Sequence, residues 1–106
     1  MRMMLRVVID TEAGNESLSS ASESLDRMQE TLKPEAFYGV EEDGQRAFIA
    51  VFDMADPSQI PVLCEPLYQL TKGKIRITPC MNFEDLKKGV AEATAQMQAM
   101  QGQSAQ

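Results

Sequence analysis

The order in which the hydrophobic period changes along this chain leaves few folds open to it. Apolar residues run through positions 2–10 and return at helical spacing up to about Lys33. They form two short runs at 36–41 and 46–53, and take helical spacing again to about Leu70. A further run covers 74–81, and a helical stripe closes the chain near Met100. A period of two marks a strand and a period of 3.6 a helix. The segments therefore read strand, helix, strand, strand, helix, strand, helix.

Local signals sharpen that order. The stretch from Thr11 to Asn15 reads as a loop, and the helix after it carries Leu18, Ala21, Leu25, Met28 and Leu32 at 3-4 spacing, ending at Pro34. Its five serines between 17 and 24 compete for backbone hydrogen bonds and weaken its first half. Asp43-Gly44 between two apolar runs is a hairpin signal. Asp56-Pro57 reads as N-cap and first position of a helix with Ile60, Leu63, Leu67 and Leu70 on one stripe, in which Pro66 removes one hydrogen bond. Asn82 with Asp85 three residues later is a variant capping box for the last helix, whose stripe is Phe83, Leu86, Val90, Ala93, Met97 and Met100.

A split β-α-β unit repeated twice gives an antiparallel sheet with helices on one face, a ferredoxin-like α+β sandwich, here with an extra C-terminal helix. The chain has room for one such domain over residues 1–101, followed by a frayed tail at 102–106. The first and third strands are the most continuously apolar and belong at the centre. If Asp43 and Gly44 form the turn, Tyr38 lies opposite Ile49, and Glu41 opposite Arg46. Ala36, Tyr38, Val40, Ala47, Ile49 and Val51 then share one face, and Phe37, Phe48 and Phe52 share the other. With Leu5, Val7 and Tyr38 turned to the helices, the open face carries Met4, Val8, Phe37, Phe48 and Phe52, together with Arg6 and Arg76. Three phenylalanines on a solvated sheet make a large exposed patch, so a second copy is expected to cover them.

In that arrangement residues 2–100 resemble the dimeric α+β barrel proteins, small ferredoxin-like chains whose two sheets meet across a twofold axis. The resemblance is architectural. It implies a homodimer with a cleft between the sheets. Members include cofactor-free monooxygenases, muconolactone-isomerase-like enzymes and haem-handling proteins. Several branches place a histidine or tryptophan in the cleft, and this chain has neither.

The absence of histidine removes the commonest general base and a leading metal ligand. Sixteen acidic residues against ten basic ones give a net charge of −6, which disfavours nucleic acid and anionic membrane surfaces as partners. The candidate ligand site is Arg6 and Arg76 as an anchor for a carboxylate or phosphate, with Phe37, Phe48 and Phe52 as its apolar wall. Cys64 and Cys80 read as buried thiols in a cytoplasmic protein. Asp10, Glu12 and Glu16 read as a solvated loop rather than a metal site, and no cofactor is expected. The expected function is that of a non-enzymatic dimeric module binding a small acidic or aromatic molecule. The alternative is a cofactor-independent isomerase or monooxygenase acting on a small organic acid, with Tyr38 or Cys80 handling protons.

Overall fold

A computed structural model describes residues 1–104. Its sheet holds strands β1 (Arg2–Val8), β2 (Ala36–Glu42), β3 (Gln45–Asp53) and β4 (Lys74–Pro79), in the order β2-β3-β1-β4, with every neighbouring pair antiparallel. The two most apolar strands are central, as their composition requires, and the topology is that of a ferredoxin-like sandwich.

The hairpin follows its turn chemistry. Asp43 and Gly44 both have positive φ, 49° and 79°, which gives the twist that tight hairpins need and which glycine adopts without strain. The register places Tyr38 opposite Ile49 and Glu41 opposite Arg46. The helical layer departs from the sequence expectation near its start. Residues 11–15 are helical, not a loop: helix α1 (Thr11–Ser17) begins on Asp10, whose carboxylate accepts from the Ala13 amide at 3.2 Å. The serine-rich stretch Leu18–Ser20 tightens into a 3-10 turn, and helix α2 (Ala21–Leu32) follows. Lys33, in the left-handed region at φ 46°, stops α2 before Pro34.

Helix α3 (Gln59–Thr71) starts later than Asp56-Pro57 suggests. Asp56 accepts from the Ser58 amide at 2.9 Å, so these residues form a side-chain-closed turn ahead of the helix. That hydrogen bond also holds the Asp56 carboxyl below its ordinary pKa. The helix runs through Pro66 without interruption and ends at Lys72, again with positive φ.

Which face of the sheet meets the helices is the main correction. The register aligns Leu5 with Ala50 and Phe37, and Val7 with Phe48 and Gly39. Met3, Leu5, Val7, Phe48, Ala50, Phe52, Met54 and Leu67 form the core, with Phe37, Met28, Leu32, Ile60, Leu63, Ile75 and Ile77 packed against it. Phe37, Phe48 and Phe52 therefore point to the helices, not to the open face. Met4, Arg6, Val8, Tyr38, Val40, Ile49, Val51 and Arg76 occupy the opposite side, and Tyr38 is 67% exposed. The grouping of residues by face is as the hairpin chemistry implies; its orientation is reversed because the largest side chains of β3 fill the space under the helices.

Helix α4 (Phe83–Ser104) begins with the expected capping box: Asp85 N–H donates to Asn82 Oδ1 at 2.8 Å and Asn82 N–H to Asp85 Oδ2 at 3.2 Å. It continues through Gly102 to Ser104, where the sequence suggests fraying; Ala105 and Gln106 lie outside the described residues. It does not return to the body. Residues 81–102 are all exposed, and the molecule is 67 Å along its longest axis. Its radius of gyration is 18.8 Å, where a compact chain of this length has about 13 Å.

Candidate functional site

The two halves of the sequence-derived ligand site lie on opposite faces of the sheet. On the open face, β1 and β4 pair Arg6 with Arg76 directly, as antiparallel pairing of those strands requires. Adjacent guanidinium groups repel, and the chain offsets the charge of Arg6 alone. Glu42, from the far edge strand, ion-pairs with Arg6. A hollow of about 200 Å³ remains, lined by Arg6, Val8, Glu42, Lys74, Ile75 and Arg76. Among the described residues Lys74 and Arg76 have no ion-pair partner. Lower on the same face Arg2 pairs with Glu35 and with Asp85 of α4, and the Glu35 hydrogen bond raises the Arg2 pKa.

On the helix side α2 and α3 stand apart, and a cavity of about 730 Å³ lies between them above the sheet. Phe37, Phe48 and Phe52 are among its lining residues, and the first two stack with centroids 5.2 Å apart and rings 13° from parallel. Leu25, Met28 and Leu32 contribute from α2, and Leu63, Leu67 and Leu70 from α3. The charged lining residues are Arg27, Arg46 and Asp53, all exposed at the rim; Asp53 is paired with the N-terminal ammonium at 2.9 Å, and Arg46 donates to Asn15 Oδ1 at 2.9 Å. Thr71 is buried but satisfied, donating to the Leu67 carbonyl at 2.7 Å and accepting from the Gly73 amide at 3.3 Å.

The chemistry available in this cavity is solvation of an apolar body with a cation nearby. Cys64 is buried on α3 outside the lining, and burial pushes its thiol pKa up, which suppresses the thiolate needed for nucleophilic work. Cys80 is half-buried; neither cysteine is in a disulfide. Tyr38 faces away from the cavity. Asp10 is committed to capping α1, and among the described residues no three His, Cys, Asp or Glu side chains come together as a metal site. Among those residues, too, no helix is long and apolar enough to cross a membrane.

The chain matches no family model, no curated protein and no solved structure. Its site must be read from its own residues. Sequence reasoning identified the stripes on α2 and α3 as packing surfaces but not as cavity walls. The signal available was the pairing of bulky Phe37 and Phe48 with small Ala50 and Gly39 in one layer, which marks that layer as filled rather than solvated.

Proposed function

We propose that this protein is a non-enzymatic module that binds a small apolar or aromatic molecule between α2, α3 and the sheet. The observation that carries this reading is the cavity of about 730 Å³ with three phenylalanines in its lining. Its size falls within the roughly 300–1,000 Å³ typical of small-molecule sites. Arg27 and Arg46 favour a ligand with an anionic end. A ligand of about 20 non-hydrogen atoms at roughly −0.3 kcal/mol each would bind with a Kd of tens of micromolar.

The test is calorimetric titration with anilinonaphthalene sulfonate, an aromatic probe with one anionic group. Saturable one-to-one binding, weakened in Met28→Asp because a carboxylate is then set into the apolar wall against the anionic probe, supports the reading. An absence of saturable binding, or binding unaffected by Met28→Asp, sinks it.

A second reading concerns Arg6 and Arg76, for which the unpaired cations of the open-face hollow speak. There a small carboxylate or phosphate would sit against Arg76 and Lys74, beside Arg6 already held by Glu42. Titration with inorganic phosphate tests it: binding weakened by Arg76→Ala supports the anchor, and no binding removes it. Pairing of two such chains into an α+β barrel would have to use the open-face residues Met4, Val8, Tyr38, Ile49 and Val51, since the phenylalanines are turned inward.

A further inference from the structure

We propose that α4 is an exchanged arm: two copies of this chain pair in solution, and the apolar stripe of each α4 lies on the open sheet face of the other copy.

Helix α4 presents Phe83, Leu86, Val90 and Met97 along one side, at 73%, 47%, 56% and 60% exposure. Helices in proteins are held mainly by packing of an amphipathic face, and α4, with 22 residues, has no such packing within its own chain. This one has a well-formed cap and an apolar stripe that its own body does not cover. The body has the matching deficit. Antiparallel sheets with one solvated face place polar residues there; here that side carries Arg2, Arg6 and Arg76 on β1 and β4, but Met4, Val8, Ile49 and Val51 are set among and beside them, away from α2 and α3. Each copy thus offers one uncovered helix stripe and one uncovered sheet face, the self-complementary pair that a twofold dimer requires.

Two further observations favour a second copy over another partner. The surfaces are contiguous: Arg2, on the open face, ion-pairs with Asp85 in the first turn of α4, so the arm leaves from the side on which the face lies. The dimensions agree as well. At about 1.5 Å per residue the 22 residues of α4 span roughly 33 Å, and strands of seven to nine residues span about 23–30 Å. The stripe exposes roughly 500 Å² of side-chain surface per helix. Burying two stripes and the surfaces beneath them removes about 2,000 Å², within the range of stable specific interfaces.

The experiment is light scattering after size exclusion, with complementation. The full-length chain is expected at twice its 11.8 kDa mass. Val90→Asp/Met97→Asp breaks the arm, and Tyr38→Asp breaks the acceptor face. All three positions are exposed, so both variants should fold, which far-UV circular dichroism verifies. Each variant alone is expected to run as a monomer. Mixed at high concentration, they should form a heterodimer weaker than the wild-type dimer, because one of its two arm-on-face contacts is intact. Helix-on-helix pairing would survive Tyr38→Asp, and sheet-on-sheet pairing would survive Val90→Asp/Met97→Asp. A monomeric wild type, or a dimer that survives either variant, overturns the proposal.

Discussion

Phe48 and Ile49 are neighbours on β3, and the structure sends them to opposite faces of the sheet. Phe48 is 6% exposed and stacked on Phe37; Ile49 is half-buried on the open side. Removing a buried phenylalanine side chain costs about 3–5 kcal/mol, counting transfer and the cavity left behind. A domain of this size has a total stability of roughly 5–15 kcal/mol, so Phe48→Ala removes about a fifth of it or more. Ile49→Ala, whose side chain keeps contact with water in the single chain, should cost about 1 kcal/mol. The comparison belongs in the full-length Val90→Asp/Met97→Asp background, where only burial within one chain is read. With a urea m-value near 1.5 kcal/mol/M, the Phe48 change lowers the midpoint by roughly 2.5 M and the Ile49 change by about 0.7 M. Equal shifts, or a larger one for Ile49, would refute the face assignment and with it the placement of the cavity.

Gly73 sits where α3 turns into β4, and a Cβ there would lie 1.6 Å from the Val8 carbonyl oxygen; Gly73→Ala should cost about 3 kcal/mol or more by thermal unfolding, while Gly89→Ala on α4, with nothing within 4 Å, should raise helix content. Asn82→Ala removes one half of the capping box, worth about 0.5–2 kcal/mol, and since α4 does not pack on its own body the loss should appear as reduced ellipticity at 222 nm in the monomeric background, with little change in the urea midpoint. Cys64 should resist Ellman's reagent in the folded protein while Cys80 reacts. Because the folded-state thiol pKa is raised, the stabilisation from the neutral thiol is fully present below the unfolded value of about 8.5 and lost as pH rises through the folded one; wild type should therefore lose more stability than Cys64→Ala between pH 8 and 10.

The fold was legible because it is written in short-range chemistry. The Asp43-Gly44 turn sets the hairpin register, and the reciprocal Asn82–Asp85 bonds start α4 where the sequence places them. The departures are of two kinds, one local and one set by residues far apart in the chain. Asp10 caps a helix through residues that read as a loop, because one side-chain bond to Ala13 outweighs the turn signal of Gly14 and Asn15. The orientation of the sheet is the larger case. A period of two says that Phe37, Phe48 and Phe52 share a face, but not which face the helices will cover. That depends on β1 pairing through Leu5 and Val7 with Ala50 and Phe48, some forty residues on. Arg6 and Arg76 read correctly as open-face residues because β1 and β4 alternate charged with apolar residues there, and polarity decides their side. The hairpin carries no such asymmetry: Tyr38, Ile49 and Val51 on one side are nearly as apolar as the phenylalanines on the other. A hairpin apolar on both faces exceeds what α2 and α3 can cover, and the unreturned arm of α4 is the same excess seen from the helix side.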